Sequence, residues 1–169
     1  MVIYPESFNI KPDSEVTVAF SNLLNTASEN ANPKSLLLQK GNYVFLSKYA
    51  QERELYITNT IADKEYSETD KKHIHKIALD LKGINDLEID FNNSTFIFDG
   101  IMTNIVIENC VNVTLKNLNI ETVQPNVHKI TIMQTSPFYV TFKIDESSNY
   151  KEEDGEYFWY GTDYKLGFT

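Results

Sequence analysis

Three carboxylates, Asp90, Asp99 and Glu121, have the residue type that acid–base chemistry requires. Hydrolysis by two carboxyl groups needs one with a raised pKa as the acid and one that is ionised as the base for water. Each of the three follows a short apolar run, so each also suits a solvated corner that caps the backbone. No Asp-Asp or Asp-x-Asp pair occurs between residues 81 and 121. We therefore favour corner capping and predict no catalytic residue.

A histidine pair, His73-x-His75, is the second group with recognisable chemistry. Residues two apart on a strand point the same way, so the two imidazoles could share a zinc ion. The surrounding residues are charged, and no third ligand stands at a motif spacing, so we predict no metal site. His128 is isolated, and no phosphate loop or nucleophile elbow occurs. No cofactor is expected.

The aromatic run Tyr157–Tyr160 could stack on the apolar face of a sugar, or it could be a hydrophobic strand that packs against a partner. Strand alternation would place Tyr157 and Trp159 on one face, with Phe158 and Tyr160 on the other. We favour the packing interpretation.

The single cysteine, Cys110, excludes an intrachain disulfide and suits a small buried residue. The residues that would bind a substrate are not identified by these patterns.

The net charge of −9 and pI of about 4.8 argue against nucleic-acid binding, because no basic face could replace phosphate counterions. An acidic surface serves solubility, and the alternative is a carboxylate-rich cleft for a neutral ligand such as a sugar.

No window approaches the ~18 apolar residues of a membrane helix, so no membrane partner is expected. The first residues lack signal-peptide features, which predicts a cytoplasmic protein unless a signal was removed before this sequence begins, in which case it is secreted or periplasmic. The Asn-x-Ser/Thr triplets at Asn92, Asn93 and Asn112 suit corners better than glycosylation.

The elements that would position these groups follow from the segment Leu81–Glu121, a series of short apolar runs interrupted by Asn, Asp or Gly. The unit Asp86–Asp90 has the same alternation as Asn112–Lys116, about 26 residues later. A repeat of this length predicts a solenoid of parallel coils, in which each strand bonds to the strand one turn away. Two stacked ladders follow from this spacing, Leu87 over Val113 and Ile89 over Leu115.

The predicted fold is all-β, a right-handed parallel β-helix with a short N-terminal capping helix, followed by an antiparallel β-hairpin module. Asp13 or Ser14 should cap a helix over 14–27 that covers the first coil. Longer alternation after residue 127 predicts hairpins. Short coil strands are expected at 35–38, 43–46, 54–58, 77–81, 87–89, 95–98, 105–107, 113–115 and 118–120, with a polar excursion over 62–76. The predicted domains are 1–34 for lead-in and cap, 35–122 for the coils, and 127–169 for an incomplete β module after a boundary at 122–126.

Asp13–Leu24, followed by Leu36–Phe45, resembles the cap and first coil of pectate-lyase-like right-handed β-helices. Arg53–Asn59, Leu87–Gly100 and Val113–Ile120 look like the N-terminal part of glycoside hydrolase family 110, the inverting exo-α-1,3-galactosidases. The region after 127 is similar to a β-barrel insertion in that family. One departure is Asp90-Phe91, where the family often has Asp-Gly. The resemblance covers most of the chain.

The resemblance implies an enzyme that removes terminal galactose from glycans, with a carbohydrate as partner. The family's catalytic carboxylates lie on later coils, so none is assigned to a residue here, and this chain alone should be inactive. The alternative is a non-catalytic glycan-binding or structural β-helix, such as an adhesin or a tailspike. An uncovered coil end also predicts self-association through exposed strand edges.

Overall fold

A computed structural model describes residues 1–56, 73–124, 128–146, 148–163 and 165–168, without the side chains of Leu166 and Phe168. It divides into two compact units, one of Met1–Phe98 with Met102–Glu121 and one of Asp99–Ile101 with Thr122–Thr169. The elements are β1 (Val2–Ile3), β2 (Ser14–Glu15), α1 (Thr17–Ser28), β3 (Lys34–Leu37), β4 (Asn42–Leu46), β5 (Gln51–Glu54), β6 (Ile74–Lys82), β7 (Asn85–Asp99), β8 (Thr103–Glu108), β9 (Val111–Thr122), β10 (Ile130–Thr135), β11 (Val140–Ile144), β12 (Tyr150–Glu153), β13 (Glu156–Tyr160) and β14 (Lys165–Phe168). Short 3-10 turns occupy Pro5–Phe8 and Ser47–Tyr49.

The first unit is built on a six-stranded sheet with the order β1-β3-β7-β4-β2, in which β9 also pairs with β7. The pairs β1–β3, β3–β7 and β2–β4 are parallel. The first part of β7 lies beside β3, with Leu36 opposite Ile89. Farther along β7, the Thr95 amide donates to the Gly41 carbonyl, just before β4. One long strand thus joins two parts of a curled sheet.

The bend in β7 lies at Asn92 and Asn93, which have φ values of 53° and 54°. Asparagine tolerates this left-handed backbone better than most residues do. Two such residues also change which side chains face inward. The buried positions are Leu87, Ile89 and Phe91 before the bend, and Ser94, Phe96 and Phe98 after it. The predicted separate strands 87–89 and 95–98 are therefore wrong, because the asparagines bend one strand without ending it.

A second sheet of the first unit has the order β5-β6-β8. β6 and β8 are parallel, and Leu79 stands opposite Ile105, a separation of 26 residues. The predicted repeat length is thus confirmed in this sheet. β5 runs antiparallel to β6 and ends at Glu54, so the predicted strand 54–58 is wrong at residues 55–56, and its last two residues lie outside the described residues. The predicted excursion over 62–76 is described only from His73, and β6 already begins at Ile74.

The helix α1 begins at Thr17, and its N-cap is Val16. The prediction that Asp13 or Ser14 caps the helix is wrong, because Ser14 belongs to β2, which pairs with β4. The Glu15 carboxylate accepts the Thr17 amide at 2.7 Å. The helix buries an apolar face on the core, formed by Phe20, Leu23, Leu24 and Ala27. The ring of Phe20 contacts three aromatic rings of the sheet, those of Tyr43, Phe45 and Phe96.

The second unit contains a β10–β11 hairpin and a β12-β13-β14 sheet, both antiparallel. The hairpin predicted from alternation is confirmed. Phe138, predicted in the second strand, lies in the turn before β11 and is 94% exposed. Part of the predicted boundary at 122–126, and residue 127, where the predicted module begins, lie outside the described residues.

The mostly β class, the α-helix and a curled parallel sheet are thus confirmed. The complete right-handed β-helix stays a prediction, as do the three predicted domain ranges. Among the described residues, no helix has the length and apolar character needed to cross a membrane.

Candidate functional site

Asp90 lies on β7 just before the bend, and it holds two neighbouring backbone segments together. Its Oδ1 accepts the Asn92 amide and the Asn117 side-chain amide, each at 2.9 Å. The hydrogen bond from Asn117, the backbone bond from Asn92 and nearby Lys116 lower the pKa of this carboxyl. A general acid needs the opposite shift. Asp90 therefore lies at a corner where it bonds two strands, and its lowered pKa does not suit a general acid.

The other two predicted carboxylates are held differently. Asp99 belongs to the second unit and accepts the hydroxyl of Thr162. Glu121 is exposed near the end of β9 in the first unit. Among the described contacts of the first unit, none pairs Asp90 with Glu121.

The outer face of β7 and β9 carries a groove of about 230 Å³. We call it the outer groove. Its lining residues are Pro33, Lys34, Asp86, Leu87, Glu88, Asn112 and Thr114. The Asn112 amide donates to Asp86 at 2.7 Å, and Lys116 donates to Glu88 at 2.6 Å. Asp86 and Glu88 are two residues apart on β7, and Asn112 and Thr114 are two apart on β9. Their carboxylate, amide and hydroxyl groups therefore lie side by side in the groove.

The outer groove can form hydrogen bonds with a hydroxyl-rich ligand, because it offers both acceptors and donors. The ammonium of Lys34 is turned away to the carbonyls of Asn30 and Asn32, at 2.5 and 3.0 Å. Asp90 was predicted from the sequence as a candidate carboxylate, whereas Asp86 and Glu88 were not. The signal was the Asp-x-Glu-x-Asp alternation from 86 to 90, which places three carboxylates on one face of a strand.

A second polar cluster ties β5 to the neighbouring strands. The guanidinium of Arg53 donates to Asp80 at 2.5 and 2.9 Å and lies 2.8 Å from a carboxylate oxygen of Glu108. The hydrogen bonds to Asp80, followed by the charge of Asp80 and the contact with Glu108, raise the pKa of Arg53. A bidentate arginine between two carboxylates holds strand positions, and it gives Asp80 and Glu108 a shared structural partner.

The predicted histidine pair is involved in local contacts. His73 Nε2 lies 2.9 Å from Glu54 Oε1, and its ring stacks on Tyr56 with a centroid distance of 5.5 Å. His75 stands opposite Arg53 in the β5–β6 register. Within the described parts of the chain, no group of three or more His, Cys, Asp or Glu side chains could hold a metal.

The aromatic strand β13 has the predicted alternation, since its antiparallel partners place Tyr157 and Trp159 on one face. Trp159 is 6% exposed and lies beside the rings of Tyr150 and His128. Burial lowers the pKa of His128. The packing interpretation therefore describes this face well.

The opposite face of β13 is partly covered by Lys165, whose ammonium lies 3.9 Å from the Phe158 ring centre. Lys165 also donates to Glu153 at 2.5 Å, and this bond, with one from Tyr160, lowers the pKa of Glu153. The charged side chain of Lys165 occupies the aromatic surface where a sugar would stack.

Cys110 is partly buried against the core of the first unit, and its thiol donates to the Leu81 carbonyl.

No family model matches the chain. It is 32% identical over 145 residues to Alpha-1,3-galactosidase B of Bacteroides thetaiotaomicron, which covers 85% of this chain and 22% of that protein. It is 28% identical over 106 residues to Alpha-1,3-galactosidase A of the same organism, covering 63% of this chain and 18% of that protein. It is 26% identical over 153 residues to Alpha-1,3-galactosidase A of Streptomyces avermitilis, covering 88% of this chain and 24% of that protein.

The chain spans about a fifth of the length of the curated relatives it matches. The similarity extends through most of its own length, including residues of the curled sheet. These similarities support a relationship between this chain and the alpha-1,3-galactosidases of glycoside hydrolase family 110.

Proposed function

We propose that this chain forms part of a glycoside hydrolase that removes terminal α-1,3-linked galactose from glycans. The observation that carries the proposal is the similarity to Alpha-1,3-galactosidase B over 85% of this chain. Its coil portion is a right-handed parallel β-helix, a proposal supported by the parallel pairing and the 26-residue register between β6 and β8. The substrate class comes from the names of the relatives.

The catalytic carboxylates of this hydrolase lie outside residues 1–169. This part of the proposal is supported by the contacts of Asp90, whose carboxylate accepts the Asn92 and Asn117 amides, and by its lowered pKa, which does not suit a general acid. The ion pairs of Asp80 and Glu108 with Arg53 give those two acids structural partners. The contribution of this chain is then a rigid scaffold, with the outer groove available for glycan contact.

The activity is tested with the protein from the complete reading frame that contains this sequence, alongside residues 1–169 alone. Substrates are galactose disaccharides with α-1,3, α-1,4 and α-1,6 linkages, and NMR follows the anomer released. We expect release of β-galactose from the α-1,3 substrate by the complete protein only, since inversion changes the anomer. Loss of the α-1,3 preference, or activity of the short chain, would contradict the proposal.

The alternative function is glycan binding without hydrolysis, and the outer groove is the observation that favours it. Its test is titration of residues 1–169 with a galactose-terminated trisaccharide, followed by NMR shifts. The informative variant is Asn112→Gly, which removes a lining amide and suits the local φ of 55°. The control is Asn109→Gly, at a second corner with φ of 53° that is not part of the lining.

Binding by the parent chain that is weakened about tenfold in Asn112→Gly and unchanged in Asn109→Gly would establish the groove as a glycan site. If the complete protein also lacked hydrolase activity, the binding function would replace the enzymatic one. Absence of binding in the parent chain would remove the alternative.

A further inference from the structure

An exposed apolar patch lies on the outer face of the six-stranded sheet in the first unit. Val2, Tyr4 and Leu37 are 58%, 64% and 62% exposed. Their chain neighbours Ile3 and Leu36 are buried in the core, at 6% and 2% exposure. Side chains alternate along an extended chain, so the three exposed residues share the face that is directed away from the core. We call Val2, Tyr4 and Leu37 the apolar patch.

The strand register places the apolar patch and the outer groove on the same face. Ser35 stands opposite Val2 on one side and opposite Glu88, a lining residue of the groove, on the other. Leu37 stands opposite Asp90 in the same register. Only β3 separates β1 from β7, so the two strands lie about 10 Å apart at the usual strand spacing. A ligand that contacts both the patch and the groove is therefore longer than one sugar ring.

The side chain of Tyr4 is available for stacking. Its backbone is extended, with φ of −97° and ψ of 112°, directly after β1. Among the described residues, its ring contacts no other ring or cation, and its hydroxyl forms no hydrogen bond. The Phe158 ring of the second unit differs, because the Lys165 ammonium lies over it. An exposed aromatic ring beside aliphatic side chains suits the apolar face of a sugar ring.

The groove supplies hydrogen-bond acceptors next to this patch. Asp86 uses Oδ1 for the Asn112 amide, and Glu88 uses Oε1 for Lys116. The second oxygen of each carboxylate accepts no hydrogen bond within the described part of the chain. Lys116 also lies 3.6 Å from Asp90, so two carboxylates share this cation. An anionic ligand would be repelled here, whereas sugar hydroxyls can donate to the unused oxygens.

This face does not depend on how the sheet continues. A further strand that paired with β9 would extend the sheet sideways, in the hydrogen-bonding direction. The outer side chains stand roughly perpendicular to that direction and would stay uncovered by it. An exposed apolar patch with a polar rim commonly marks a binding site.

We propose that the outer face of β1, β3, β7 and β9 binds an uncharged oligosaccharide. One sugar ring stacks on Tyr4 beside Leu37, and the hydroxyls of a neighbouring sugar bond in the outer groove. The inference rests on the proposed function for its ligand class, a galactose-containing glycan. It adds an aromatic subsite and a ligand longer than one sugar. The site holds the glycan and takes no part in bond cleavage.

The test is titration of residues 1–169, followed by NMR, with galactose and with a neutral galactose-terminated trisaccharide. The parent chain should bind the trisaccharide more tightly than galactose. Tyr4→Ala should weaken trisaccharide binding about tenfold, whereas Tyr4→Phe, which keeps the ring, should bind like the parent. The control is Tyr49→Ala, at a tyrosine that is 47% exposed in the turn after β4, and it should also bind like the parent.

Equal trisaccharide binding by the parent chain and Tyr4→Ala, or an equal loss in Tyr49→Ala, would overturn this site. Tighter binding of a trisaccharide that carries a carboxylate would overturn it too. The hydrolysis assay of the complete protein separates this failure from failure of the proposed function. Tyr4-dependent binding without hydrolysis would support the site and contradict the enzyme, and hydrolysis without Tyr4-dependent binding would do the reverse.

Discussion

Asp90 shows how a single side chain can have the type of a catalytic acid and the environment of a structural one. Its hydrogen bonds from the side chain of Asn117 and the backbone of Asn92 favour the ionised carboxylate and lower its pKa. The same residue type with a raised pKa could donate a proton. Residue type alone therefore could not distinguish the two roles. The partner amide, 27 residues away, argues against a role of Asp90 as proton donor.

This arrangement predicts a pH-dependent contribution to stability. Because the pKa of Asp90 is lowered in the folded chain, its contribution is present above the unfolded pKa of about 3.9. It is lost as the pH falls through the lower folded pKa. We expect Asp90→Asn to lower the thermal midpoint at pH 7 and to have a smaller effect at the acidic end of the titration. Thermal unfolding monitored by circular dichroism across this range measures the difference.

The matched control is Glu121→Gln, the same loss of one negative charge at an exposed position near the end of β9. It should change the midpoint less than Asp90→Asn at neutral pH. An Asp90→Asn effect that grew on acidification would contradict the role assigned to this carboxylate.

Corner positions at a 26-residue spacing share a left-handed backbone. Gly83 and Asn109 have φ values of 65° and 53°, and Asp86 and Asn112 have 51° and 55°. For a residue with a branched side chain this conformation costs about 1–2 kcal/mol. Asn109→Val should therefore reduce the free energy of unfolding by about 1–2 kcal/mol, whereas Asn109→Gly should change it by less than about 0.5 kcal/mol. Urea unfolding of both variants tests the corner, and equal effects would argue against it.

At the scale of elements, the apolar pattern predicted where strands lie better than where they end. The runs at 87–89 and 95–98 were identified, but β7 continues through both. The reason is that Asn92 and Asn93 interrupt the apolar pattern and supply a bend within the strand. The start of α1 was misplaced for a related reason. Ser14 is a common capping residue, but its backbone is used in pairing with β4.

The direction of β5 could not be predicted, because a period-two pattern is the same in parallel and antiparallel strands. What fixes β5 is the contact of Arg53 with Asp80 and Glu108, residues that are 27 and 55 positions away. Such long-range pairs leave no local signal in a single sequence. The prediction of a coil strand at 54–58 accordingly failed at residues 55 and 56, since β5 ends at Glu54.

The Arg53 cluster leads to a prediction for β5. Arg53→Met removes the guanidinium and leaves Asp80 and Glu108, with side chains 14% and 36% exposed, close together without their shared cation. Leaving charged groups without their partner costs on the order of 1–3 kcal/mol. Amide hydrogen exchange should therefore accelerate in β5 more than in β4. Lys82→Met is the control, since Lys82 lies 3.9 Å from Glu108 with a side chain 56% exposed. Equal protection of β5 in both variants would contradict a fixing role for Arg53.

At the scale of the whole molecule, the candidate site was less predictable than the fold. The outer groove is formed by side chains from three separate segments, near residues 33–34, 86–88 and 112–114. The sequence repeat predicts that the last two segments are neighbours, and the Asp86–Asn112 hydrogen bond agrees with this. It does not predict that the residues after α1 form one wall. Sequence similarity to the relatives extends over 63–88% of the chain and leaves the groove unassigned.

Burial varies along the core of the first unit, so the cost of truncation to alanine can be compared between buried and partly buried positions. Ile89 is fully buried and Leu36 nearly so, and the two are partners in the β3–β7 register. Leu115, predicted to stack on Ile89 in the next coil, is only partly buried. Ile89→Ala and Leu36→Ala should each reduce the free energy of unfolding by about 2–5 kcal/mol. Leu115→Ala should have a smaller effect, because less apolar surface of this side chain leaves water when the chain folds.

Urea unfolding of the three variants and of the parent chain, at one protein concentration, measures these differences. The comparison is informative because each variant removes side-chain carbons from the same core, so the depth of burial is what differs between them. A Leu115→Ala effect as large as that of Ile89→Ala would contradict the partial burial of Leu115, because the cost of truncation rises with the apolar surface that folding removes from water.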